Sequence, residues 1–150
     1  MRLLALTALL LAGPTWAADM SPPPQVSAAA ADPLAAPRQL IAARDWAGAL
    51  ATLRAQPQAA SADWHNLVGY SLRKQAAPDL ARAESHYLEA LRIDPGHRGA
   101  SEYLGELYLM KGDLTGAEKR LAVLAQLCPG GCEEREDLAR AVTAFKAKKP

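Results

Sequence analysis

Cys128-Pro129-Gly130-Gly131-Cys132 is the stretch of this chain whose residue types and spacing invite chemistry, and it holds both cysteines. A proline and two glycines between the thiols make a tight turn that can bring the sulfurs together. The fate of the two thiols depends on the compartment. The chain begins Met1-Arg2, runs apolar from Leu3 to Leu11, and reaches Thr15-Trp16-Ala17 through Gly13-Pro14. A positive start, a short apolar stretch and small residues before a cut describe a secretory signal peptide, cut after Ala17. The apolar run is shorter than the about 20 residues a span requires. No later segment is apolar enough to cross, so stable membrane insertion is not expected. Export to the periplasm, or secretion, would place the thiols in an oxidising setting. The leading reading is a structural disulfide between Cys128 and Cys132, whose short loop gains little chain entropy. Two rivals stay open. One is a labile redox pair, because Cys132 stands at a helix N-terminus, which lowers a thiol pKa. The other is a thiolate site for a soft metal such as Cu(I). Two thiolates alone are a poor site, and no resident metal or cofactor is expected.

Other reactive residues offer less. His65, His86 and His97 lack ligand spacing. His97 follows Pro95-Gly96 in a turn and is expected to be solvated, while His65 and His86 read as helix-packing residues. There is no Gly-rich phosphate loop, no nucleophile elbow and no acid-base pair beyond an ordinary helix face, so an enzyme is not expected. The mature chain would carry 16 basic and 16 acidic residues once Arg2 is removed. A neutral balance gives no electrostatic footprint for nucleic acid.

The elements that would position these residues are set by a repeat. Asp45-Trp46-x-x-Ala49, Asp79-Leu80-x-x-Ala83 and Asp113-Leu114-x-x-Ala117 succeed one another at 34-residue intervals. The register continues through Leu53, Tyr87 and Leu121, and Pro95 and Pro129 keep the same spacing. A period of this length marks stacked helical pairs. Each Asp is placed to cap a helix, Gly112 to close one in the left-handed conformation, and Pro95 and Pro129 to stop the second helix of their units. Ala49, Ala83 and Ala117, with Gly69 and Gly105 opposite, would let helix axes approach closely. Pro37 and Pro57 are expected to shorten both helices of the first unit. From residues 132 to 147, Leu138, Ala141, Val142 and Phe145 form one apolar stripe suited to a capping helix. Its acids, Glu133, Glu134, Glu136 and Asp137, crowd the first turn and its lysines the last, which complements the helix dipole. Residues 18–36, rich in Ala and Pro, read as a disordered leader.

These residues resemble the tetratricopeptide repeat (TPR) family. In the third unit, counted from Arg98, Leu104, Gly105, Tyr108, Ala117 and Pro129 match its pattern. The second unit carries Val68-Gly69, Leu72, Ala83, Tyr87, Ala90 and Pro95, with two extra residues in its inter-helix turn around Ala76-Ala77-Pro78. The resemblance covers residues 37–131 and implies an all-α fold, a right-handed α-solenoid of about three TPR-like helix pairs plus the C-terminal capping helix. It also implies a scaffold or adaptor that binds a protein or peptide partner in its concave groove; with the short signal and Ala-rich usage, the chain reads as a small exported bacterial TPR protein. By the family's pattern the groove-facing positions are Asp63, Asn66, Tyr70, Arg73 and Lys74 in the second unit. In the third they are Gly99, Glu102, Glu106, Leu109 and Met110. Recognition is expected at Asn66, Tyr70, Arg73, Lys74, Glu102, Glu106 and Met110. Equally, Arg73 can pair with Glu102 or Glu106 and simply tie adjacent repeats. The chaperone-tail clamp of the family is not reproduced. Three uneven repeats bury a marginal apolar area, which leaves room for a homodimer through an exposed helix face.

Overall fold

The computed structural model describes residues 32–148, and the expected signal peptide with most of the expected leader lies outside them. These residues fold into seven helices, with no strand among them. The helices are α1 (Ala35–Ala42), α2 (Trp46–Ala55), α3 (Ala62–Lys74), α4 (Leu80–Ile93), α5 (Arg98–Met110), α6 (Leu114–Leu127) and α7 (Glu133–Lys148). Helices α1/α2, α3/α4 and α5/α6 form the antiparallel pairs, each stacks on the next, and α7 closes the array against α5 and α6.

The three aspartates act as one recurring device. Asp45, Asp79 and Asp113 accept from the backbone N–H groups of Gly48, Arg82 and Gly116 at 2.9, 3.0 and 2.8 Å. Each satisfies an orphan donor of the helix it precedes. Their own N–H groups reach back to the preceding helix, and here the units differ. Asp45 and Asp113 donate to Leu40 and Tyr108, five residues earlier, whereas Asp79 donates to Leu72, seven residues earlier. The two-residue insertion of the second unit is therefore absorbed in Gln75–Pro78, outside both helices. At the position before the Asp, Gly112 has φ +81° and Arg44 has φ +61°. Arg44 thus takes a left-handed conformation that glycine adopts without steric cost.

Prolines set the helix lengths. Helices α4 and α6 each run 14 residues and stop just before Pro95 and Pro129. Helix α2 runs 10, stopped early by Pro57. Pro37 is less disruptive than expected: α1 begins at Ala35, two residues before it. A first-turn proline lacks an N–H that would have no helical partner in any case. Leu34, in the expected leader, is buried with Leu50 and Leu53 and belongs to the core.

Close approach requires both glycines, but for different neighbours. A Cβ on Gly69 would stand 2.8 Å from the Tyr87 ring and 3.1 Å from the Ala83 carbonyl oxygen. On Gly105 it would meet Leu138 of α7 at 2.6 Å, so that glycine makes room for the capping helix rather than for Ala117. Tyr87 and Leu138 are fully buried, each in one of the two apolar clusters. Trp64 Nε1 donates to the Leu53 carbonyl at 3.0 Å, tying α3 to the end of α2.

Candidate functional site

Three aromatic rings from successive units line up beside one another. The Trp46 and Tyr70 centroids are 5.7 Å apart and those of Tyr70 and Tyr103 are 4.7 Å apart. Each ring is partly exposed. Tyr70 and Tyr103 come from the first helices α3 and α5, which the register stacks side by side, and Trp46 opens α2. The strip is held by Arg73. Its guanidinium lies over the Tyr70 and Tyr103 rings at 5.5 and 5.4 Å, donates from Nε to Tyr87 Oη at 3.3 Å, and pairs with Glu106 at 2.7 Å. Arg73 is 6% exposed. Burial works against its charge, yet Tyr87 and Glu106 hold its pKa above the ordinary value. Burial likewise pushes the pKa values of Tyr70, Tyr87 and Tyr103 upward, so all three phenols stay neutral. Arg73 and Glu106 therefore serve as an internal tie between repeats, one of the two roles the sequence allows them.

The other expected recognition residues divide. Lys74 is exposed, with Nζ 5.9 Å from the Trp46 centroid and 5.7 Å from that of Tyr70. Met110 is 51% exposed, one helical turn beyond Glu106. Asn66 and Glu102 are 8% and 7% exposed. Together with Gly99, Tyr103 and the first turns of α7 they line a pocket of about 200 Å3. Burial, reinforced by Glu106, Asp137 and Glu134, pushes the Glu102 carboxyl up to about 8.

Several contributors were not legible as site residues. Glu133, Glu134 and Asp137 of α7 line this pocket. Their first-turn charge reads as dipole pairing in sequence, and only the stacking of α7 on α5 shows what they face. Neither Tyr103 nor Trp46 is among the recognition residues expected from the sequence. His97 is not solvated as expected. It is 13% exposed, its Nδ1 accepts from the Ala100 N–H to cap α5, and its Nε2 lies 3.0 Å from Asp63. His65 and His86 pack as a pair, with Nδ1 atoms 3.0 Å apart. Cys128 and Cys132 lie at the α6–α7 junction with sulfurs 2.06 Å apart, as a disulfide that joins the last repeat to the capping helix. Among the described residues no helix is long and apolar enough to cross a membrane.

No family model matches the sequence, and no curated protein matches it. A solved structure is similar: the Yersinia enterocolitica type III secretion chaperone SycD in complex with a peptide of the translocator YopD. The two chains share 17% identity with a TM-score of 0.65, over 79% of this chain and 92% of that one. At that identity the likeness is one of fold, and the fold is a TPR-like helical repeat.

Proposed function

We propose that this chain is a non-catalytic binding module of the TPR type, exported to the periplasm, whose groove holds a peptide or helix of a protein partner. The observation that carries the reading is the strip Trp46–Tyr70–Tyr103. Its rings are partly exposed, and a buried arginine already holds Tyr70 and Tyr103, so little of their side-chain entropy is lost when a partner docks. Grooves between stacked helices suit extended or helical segments. The SycD fold, seen with a peptide of another protein, gives the reading a precedent.

Capture from a periplasmic extract on immobilised mature chain, followed by mass spectrometry, tests it. Glu106 is a poor residue to alter, since its loss would strand the buried Arg73. Tyr70→Ser combined with Lys74→Glu changes the exposed part of the strip and leaves the tie intact. At least a tenfold loss of the captured partner, with an unchanged circular dichroism spectrum, is the expected result. Equal capture by the variant would place the binding surface elsewhere.

A further inference from the structure

We propose that the pocket between α3, α5 and α7 receives the basic side chain, lysine or arginine, of a peptide segment lying along the aromatic strip. The inference rests on the groove reading and adds the chemistry of one residue of the partner.

The charges around the pocket do not cancel internally. On α7, Glu134 is 3.5 Å from Arg98, and Asp137 pairs with Arg140 on its own helix. The carboxylates of Glu133 and Glu102 have no hydrogen bond or ion pair among the described residues. Arg73, on α3, is committed to Glu106 and Tyr87. Glu102 is more than nine-tenths buried, and an unpaired carboxyl in that position is costly to ionise. A second, separate observation points the same way. Asn66, also more than nine-tenths buried and lining the pocket from α3, has its Oδ1 without any hydrogen-bond partner. Buried acceptors are nearly always satisfied, and an exception calls for a donor. An ammonium or guanidinium group brings several donors and the missing positive charge at once.

The surroundings select an organic cation carried on a chain. Among the described residues no group of three His, Cys, Asp or Glu is arranged to hold a metal ion. About 200 Å3 suits the end of one side chain. Tyr103 forms one wall and offers its ring to an aliphatic stem or to the cation itself. Tyr70, beside Tyr103, continues the surface out of the pocket, where the residues flanking the basic one would lie.

The test is a positional-scanning library of synthetic dodecapeptides, acetylated and amidated so that no terminal charge competes, read by fluorescence anisotropy on the mature chain. Wild type is expected to favour Lys or Arg at one position. Glu102→Gln should weaken the best such peptide about tenfold or more while keeping preferences at neighbouring positions. Glu133→Gln, on the exposed first turn of α7, should weaken it less. Affinity of wild type for an arginine peptide should rise with pH up to about 8, because the bound cation favours the ionised carboxyl, and Glu102→Gln should lack this rise. Peptides bound with no preference for a basic residue would overturn the inference and leave the groove reading standing. No peptide bound at all would overturn both.

Discussion

Replacing Glu102 by glutamine is expected to stabilise the fold, and to do so only above mild acidity. The carboxyl moves from an ordinary 4.5 to about 8 on folding, mainly through burial and then through Glu106, Asp137 and Glu134, with Arg73 opposing. A folded pKa above the unfolded one means that the native chain holds more protons between these values. Wild-type stability contributed by this group is full below about 4.5 and is lost as pH rises through about 8. At about 1.4 kcal/mol per pH unit the whole displacement corresponds to ~5 kcal/mol. Solvent at the mouth of the pocket screens it, and roughly 2 kcal/mol is a sounder figure. Glutamine keeps the shape without the ionisation. Urea unfolding monitored by tryptophan fluorescence at pH 4, 6, 7.5 and 9 should therefore show no advantage for Glu102→Gln at pH 4. The midpoint difference should grow to about 1 M by pH 9. Groups that titrate identically in both proteins cancel in the comparison. An advantage independent of pH, or a variant less stable than wild type at pH 9, would refute the account of an unpaired buried carboxyl. Natural proteins tolerate such costs where a ligand supplies the missing partner.

Arg44→Gly should raise stability by about 0.5–1 kcal/mol, because glycine takes φ +61° without the Cβ clash that arginine carries; a lower urea midpoint would contradict it. Gly69→Ala should cost about 1–3 kcal/mol, since its new methyl would press on the fully buried Tyr87 ring and the Ala83 carbonyl, and calorimetry would show whether the melting temperature falls. Burial, then His65, Arg82 and Arg54, hold His86 below its ordinary 6.5. Its contribution is present above about 6.5 and lost as pH falls, so His86→Gln should flatten the acid side of the stability profile between pH 7 and 5. An unchanged slope would show that the histidine pair is not responsible.

The second helices of each unit are readable because local rules decide them. An Asp cap, a small residue at the crossing and a terminal proline each act within a turn or two, and the caps and small residues recur at one spacing. The two-residue insertion before Asp79 is visible as a count in the sequence and as a longer return hydrogen bond in the fold. The first unit is harder, since Pro37 reads as a breaker until its place in the first turn of α1 is known. The pocket is harder still. Glu102 and Glu133 are separated by 31 residues, and nothing local says that α7 will lay its acidic turn over α5. That outcome depends on Leu138 finding the space left by Gly105, a tertiary fit between residues of two different helices. His97 shows the same limit, because its partner Asp63 lies 34 residues earlier.

The most direct test of the central claim is photo-cross-linking in cells producing the full chain, with a photoreactive side chain placed either at Tyr70 or at Leu88. Tyr70 lies on the aromatic strip, and Leu88 is an exposed residue of α4, 48% accessible, outside it. A discrete adduct with a partner protein from position 70 and none from position 88 is the predicted result. An adduct from position 88 alone would contradict the account and place recognition on the second helices.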